Sequence, residues 1–164
     1  MFQKIVLAID TEDDNEAKRT LAEGVRLLAA GGELHLASVF SSGGPGFFPH
    51  VSDDTPENRE KVVRDKLNLL ARKYLPMTQA AHLHVMCGTP SEKLVALAAQ
   101  TEVDLLLMVS RGPGGLWPLR KATVEYVTVN APCAVLVLPV IVVAESSGAS
   151  ISADNEGTEQ GRSA

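Results

Sequence analysis

The run Ile5-Val6-Leu7-Ala8-Ile9, closed by Asp10, is short, unbroken and rich in β-branched residues. Apolar side chains at every position suit a strand covered on both faces, the condition of a strand inside a parallel sheet. The residues after Asp10 support that reading. Thr11-Glu12-Asp13-Asp14 supplies N-cap side chains and first-turn acids. Ala17, Leu21, Val25 and Leu28 then recur at helical spacing, and Gly31-Gly32 reads as the stop.

The same alternation continues along the chain. Leu34-His35-Leu36-Ala37-Ser38-Val39 reads as the second strand. Ser41 to Thr55 is a loop rich in Ser, Gly and Pro, of a length often tied to function. Thr55-Pro56-Glu57 opens a second helix, with Pro at its first position and Val63, Leu67, Leu70 and Tyr74 as its buried stripe. Arg59, Lys61, Arg64, Lys66, Arg72 and Lys73 lie along that helix and read as a solvated face. Pro76 ends it. Ala81-His82-Leu83-His84-Val85-Met86-Cys87 is the third strand, with both histidines on one polar face. Gly88-Thr89-Pro90-Ser91-Glu92 turns into a third helix that ends near Glu102. Val103-Asp104-Leu105-Leu106-Leu107-Met108-Val109 is the fourth strand, and Leu119, Thr123, Tyr126 and Val127 suit a fourth helix broken by Ala131-Pro132. Ala134 to Ala144 is the fifth strand.

Strand and helix alternating in this way require a parallel sheet with helices on both faces, joined by right-handed crossovers. Ligands of such sheets sit at the carboxyl ends of the strands, where the strand order reverses. Asp10, Val39 and the segment Ser110 to Gly115 are expected to meet there.

Length and composition fit one domain. The 164 residues are 45% hydrophobic, 21% charged and 4% aromatic. A chain of this size buries a core without disulfide or metal staples. Cys87 and Cys133 lack metal-ligand spacing and read as two buried thiols in a reducing compartment. The scarcity of aromatic residues removes the stacking platforms of a single-stranded nucleic-acid binder. The net charge of −5 and a pI near 5.3 argue against a binder of phosphate backbones. Glu145, Asp154, Glu156 and Glu159 against Arg162 leave residues 145–164 at −3, so residues 1–144 carry only −2. The chain therefore reads as a domain over 1–144 and a disordered acidic tail over 145–164. No apolar run has the length of a membrane span, and no signal-peptide pattern opens the chain, which is read as soluble and cytoplasmic.

One segment points to an anion. Gly112, Gly114 and Gly115 follow the fourth strand and let backbone N–H groups approach a ligand. The next helix offers its positive end. Arg111, Arg120 and Lys121 add charge, and Ser110 and Thr123 add hydroxyls. No nucleophile–base pair, P-loop signature or metal cluster accompanies them, which ranks an enzyme below a binding protein.

Several motifs, taken in order, resemble the universal stress protein family. They are Lys4 to Asp10, Gly88-Thr89-Pro90 before a helix, Val103 to Met108, Ser110-Arg111-Gly112, and Ala131-Pro132-Cys133 before a last Val/Leu strand. The resemblance spans residues 2 to about 139. It implies a five-stranded sheet of order 3-2-1-4-5 (adenine nucleotide alpha-hydrolase-like), a homodimer, and a stress-linked regulatory role without a defined reaction. The dimer would pair through the Ala134–Ala144 strand, whose apolar edge invites a partner.

Members of the family that bind ATP carry Gly, two residues, Gly, nine residues, then Gly and Ser or Thr, and this chain departs from that pattern. Counted forward from Gly112, Val109 takes the first glycine place and Ala122-Thr123 the last pair. Counted back from Glu125-Tyr126-Val127, Lys121-Ala122 takes the pair. Gly112 alone survives on either count, and Pro113 and Pro118 remove two N–H donors. The resemblance implies that Asp10 and Val39 would hold adenosine. Ser110, Gly112 and Thr123 would hold phosphates, with Arg111 nearby and Mg²⁺ accompanying ATP. The reading is a regulatory homodimer with weak or absent ATP binding; the alternative is a nucleotide-dependent switch.

Overall fold

The computed structural model describes residues 1–41, 55–110 and 119–139, without the side chains of 119–121. Arg111 and Gly112, the loop over 42–54, and everything from residue 140 onward lie outside the described residues. That last stretch includes the end of the expected fifth strand and the acidic tail.

Strand β1, Phe2–Ala8, runs through the centre with Ile5, Val6 and Leu7 fully buried. Helix α1, Asp14–Leu27, starts where the Asp13 carboxylate accepts the Glu16 N–H at 2.9 Å. It ends earlier than the glycine pair suggests. Leu28 is extended, is 6% exposed, and already pairs with Phe2 as the first residue of β2, Leu28–Phe40. Pairing then resumes at Lys4 with Glu33, so the intervening residues of β2 bulge out and Gly31 takes a φ of +75°. Gly31-Gly32 breaks a strand and not a helix, because Leu28 gains more by joining the core than by extending α1.

Helix α2, Pro56–Tyr74, is capped by Thr55, whose hydroxyl accepts the Asn58 N–H at 3.2 Å. Strand β3, Ala81–Cys87, then helix α3, Pro90–Thr101, come next. Glu102 closes α3 in the left-handed conformation, with φ and ψ both 50°. Strand β4, Leu105–Ser110, helix α4, Leu119–Asn130, and strand β5, Ala134–Pro139, complete the described chain.

The sheet has five strands in the order β3-β2-β1-β4-β5, and every pairing is parallel. The expected order is therefore the observed one. Ile5, Leu7, Leu34, Leu36, Leu105 and Leu107 form one face, packed with Ala17 and Leu21 of α1 and Leu67 and Leu70 of α2. Val6, Ala37, Leu106 and Met108 form the other, packed with Leu94, Leu97 and Ala98 of α3 and Val127 of α4. A Cβ on Gly24 would sit 2.6 Å from Leu7 Cδ1, so glycine there is what lets α1 lie close on the sheet.

Three of the six basic residues of α2, Arg64, Lys66 and Lys73, pair with acids on a solvated face. Lys66 Nζ lies 2.6 Å from Glu12 Oε1, and Arg64 pairs with Glu60 at 3.0 Å. Lys73 and the Tyr74 hydroxyl both donate to Asp14, and the Tyr74 bond first, then Lys73, holds that carboxyl below the usual range. Neither cysteine is a fully buried thiol as expected. Cys87 is exposed, because it ends an edge strand whose sole strand partner there is Phe40. Cys133 is half-buried, and burial pushes its thiol up. Among the described residues, no helix is long and apolar enough to cross a membrane, and no cluster of three or more His, Cys, Asp or Glu residues is placed to hold a metal.

Candidate functional site

β1 leads to α1 on one face of the sheet, and β4 leads towards α4 on the other. Their carboxyl ends therefore part at the centre, where the strand order reverses, and a cavity of about 680 Å³ opens there. That volume lies within the usual range of small-molecule sites.

Each wall comes from a different element. Ala8, Ile9 and Asp10 come from the end of β1, Ala37 to Phe40 from β2, and Met108 and Val109 from β4. Thr89, Pro90, Ser91 and Leu94 bring the start of α3, and Ala122, Thr123 and Tyr126 bring the first half of α4. Glu12 and Glu16 stand on the α1 side. Ile9 is tied across the floor by its N–H to the Ala37 carbonyl at 2.8 Å. The Phe40 carbonyl accepts the Gly88 N–H at 2.9 Å, which fixes the turn leading to Thr89. Most of the wall is apolar, and its polar groups gather at the strand ends and helix starts.

Asp10, Val39, Val109, Ala122 and Thr123, five of the residues singled out in the sequence, meet in this cavity. Ser110 ends β4 beside Val109, in register with Pro139, and does not line the wall. Arg111 and Gly112 lie outside the described residues. Asp10 is not the N-cap of α1, a role held by Asp13. Its Oδ1 instead accepts the Glu12 N–H at 3.0 Å, a tight turn that keeps the carboxylate at the cavity. Val109 is 8% exposed and occupies the β4 wall where the ATP-binding pattern has glycine. Thr89 makes no side-chain cap to α3, so its hydroxyl is not committed to the helix it precedes.

Sequence pattern does not single out Met108, Tyr126 or the start of α3 as wall residues. The Gly88-Thr89-Pro90 turn is the available signal, since it puts a helix start at a strand's carboxyl end. His35 is likewise silent in the sequence. It is buried at 7% exposure, stacked near His82 and bonded to His84, so the two histidines of β3 belong to a three-ring cluster.

A doubly wound parallel α/β domain with its cavity at the switch point is the class that these features define. The chain belongs to the universal stress protein family, whose model matches residues 1–139. Solved structures show the same fold. The hypothetical protein MJ0577 is 22% identical with a TM-score of 0.62, over 87% of this chain and 99% of that one. A universal stress protein in complex with cAMP is 17% identical with a TM-score of 0.56, over 84% of this chain and 97% of that one. A member of the family from Burkholderia pseudomallei is 18% identical with a TM-score of 0.55, over 84% and 96%. The comparison with curated proteins gave no match.

Proposed function

We propose that this universal stress protein is a cytoplasmic stress-response regulator that acts as a homodimer, carries out no defined catalysis, and binds ATP weakly or not at all. The observation that supports this reading is Val109, a branched side chain in the cavity wall at the place where the binding pattern calls for glycine. A nucleotide laid across the end of β4 would meet that side chain. The output is then an interaction, carried by residues 1–144 as the domain, with 145–164 as an acidic tail. In the dimer, Ala134–Ala144 of each copy faces its partner. β5 supports this pairing: it is an edge strand with Val135, Leu136, Val137 and Leu138 only half-buried.

The second reading is an ATP- or AMP-dependent switch at the same cavity. It is favoured by the 680 Å³ volume and by a structural neighbour solved with a nucleotide, cAMP. In that case Asp10 and Val39 hold the adenosine, Thr123 and Ser110 with Gly112 hold phosphates, Arg111 lies nearby, and Mg²⁺ accompanies ATP. Ala122 still offers its backbone N–H there. Isothermal titration with Mg-ATP separates the two. The first reading expects no heat at high micromolar nucleotide, and clear saturation there would establish the switch. Light scattering tests the dimer, and a particle of about 17 kDa would overturn it.

A further inference from the structure

On the β2–β3 side of the sheet, three imidazoles share one face. His35 pairs in register with His82, and Ala37 with His84. His35 and His82 stack with centroids 4.9 Å apart and planes 25° apart. The His35 and His84 rings are 5.2 Å apart, centroid to centroid, at 24°, yet His35 Nδ1 and His84 Nε2 are only 3.0 Å apart. The difference between those two lengths is about one ring width, so these two rings meet edge to edge, joined by a single N–H···N bond. Such a bond holds one proton between two nitrogens. His35 Nε2 on the far side is buried without a hydrogen-bond partner, and the nearest acid, Glu33 Oε2, is 3.7 Å away.

We infer that this histidine cluster is an acid-opened latch that fastens edge strand β3 to β2 and thereby holds one wall of the cavity. In the neutral cluster, His84 Nε2–H donates to His35 Nδ1, which leaves the His35 Nε2 proton directed towards Glu33. One added proton is accommodated. It enters at His84 Nδ1 while the shared proton passes from His84 Nε2 to His35 Nδ1, so His35 donates back across the same contact and keeps its other N–H towards Glu33. A second proton is not, because both facing nitrogens would carry hydrogen and two adjoining rings would carry positive charge. The surroundings make that second proton expensive. Glu33 favours it but is shared with Lys4 of β1 at 4.0 Å. Arg64 of α2 and His82 of β3 oppose it at His84. α3 faces this side of the sheet with Leu94, Leu97 and Ala98, which carry no charge. Burial, then the neighbouring rings, lowers the pKa of His35; burial, then His82 and Arg64, lowers that of His84. With both values depressed, the stabilisation is complete above the ordinary histidine value of about 6.5 and is lost as pH falls below it.

The latch reaches the cavity through short connections. Among the described residues, β3 has β2 as its only strand neighbour in the sheet. Val39 and Phe40, both wall residues, pair with Met86 and Cys87, and Phe40 accepts the Gly88 N–H. Release of β3 therefore frees the β2 wall and the turn that leads to Thr89.

Hydrogen exchange of the full chain between pH 7.5 and 5.0, corrected for intrinsic rates, tests this. The opening of residues 81–87 is expected to rise by about tenfold per pH unit for each proton taken up, while β1 and β4 keep their protection. His84→Gln keeps an amide donor for His35 and removes one of the two titrating rings, so its β3 opening is expected to follow acid with the slope of one proton and not of two. Equal β3 protection at both pH values in the wild type would overturn the latch. So would an undiminished acid response in His84→Gln. If that variant fails to fold, the wild-type series decides the matter alone.

Discussion

At the amino ends of the strands, one residue binds three of them together. The Asp104 carboxylate accepts the Gln3 and Lys4 N–H groups at 2.9 and 2.8 Å, its own N–H donates to the Lys4 carbonyl at 2.9 Å, and its carbonyl accepts the Ala134 N–H at 3.2 Å. At the carboxyl ends the same strands separate and leave a cavity of about 680 Å³. The contrast comes from connectivity. The residues before β4 arrive beside β1 and those before β5 beside β4, where backbone groups can reach one another. β1 is followed by α1 on one face and β4 by α4 on the other, so among the described residues the gap between their ends stays open. Hydrogen bonds between strand starts gather at the closed end, and the room for a ligand lies at the open one. A change confined to either end should therefore move one property and spare the other.

The largest effect belongs to the midpoint, which serves both ends. Leu107 is fully buried and pairs with Leu7 on one side and Leu136 on the other. Leu107→Ala is expected to cost about 2–5 kcal/mol in urea unfolding, a large share of a typical domain's 5–15 kcal/mol. A loss under about 1 kcal/mol would show a core that collapses readily around the gap, and would weaken the view of a rigid sheet linking the two ends.

Asp104→Ala strikes the closed end alone. It leaves two backbone N–H groups without their carboxylate at an exposed site, and is expected to cost about 1–2 kcal/mol, or roughly 2–8 °C in the thermal midpoint of a domain this size. Whatever the cavity binds in the wild type should bind with unchanged affinity. A shift in ligand affinity that matched the shift in stability would break the separation between the ends.

Val109→Gly strikes the open end. Removing the side chain clears the end of β4 and restores the glycine place of the ATP-binding pattern. Affinity for Mg-ATP by titration is expected to rise by about tenfold, which is about 1.4 kcal/mol. The lost burial and the added backbone freedom are expected to cost about 2–4 kcal/mol of stability. No gain in affinity would show that Val109 is not what limits nucleotide binding, and would leave the Ala122 side of the cavity as the obstacle.

Much of the closed end and the core can be read from local pattern. Ile5 to Ile9 and Leu105 to Val109 are apolar at every position, which only a strand covered on both faces tolerates, and that alone places β1 and β4 in the interior. Thr55-Pro56 and Ala131-Pro132 mark helix limits because proline permits few alternatives. Gly31-Gly32 misleads because a glycine pair marks a break without saying what is broken, and the competing gain, Leu28 against Phe2, is a contact between segments 26 residues apart. The open end is legible only in part. Asp10, Val39 and Val109 follow from strand ends, whereas Tyr126 and Thr89 enter the wall through the angles at which α3 and α4 cross the sheet. No local pattern encodes those angles. His35 escapes for a similar reason: a single histidine in an apolar strand acquires meaning only when β3 brings His82 and His84 alongside it.

The smallest effect tests the turn that feeds the closed end. Glu102 is exposed and left-handed, with φ and ψ of 50°, between α3 and the strand that begins just beyond Asp104. Its N–H donates to the Ala98 carbonyl, a backbone bond that any residue except proline would keep. A side chain in this conformation costs about 1 kcal/mol relative to glycine. Glycine also widens the unfolded ensemble, which returns about half of that gain. Glu102→Gly is therefore expected to stabilise by about 0.5 kcal/mol, a rise of roughly 1–2 °C, with nothing altered at the cavity. Glu102→Ala keeps the Cβ and so the strain, and is expected to leave the midpoint within about 1 °C of the wild type. If both variants gained equally, the carboxylate and not the backbone would be the source of the strain. If glycine lost stability, the left-handed turn would be held by side-chain contacts of Glu102, and the closed end would depend on more than the backbone bonds around Asp104.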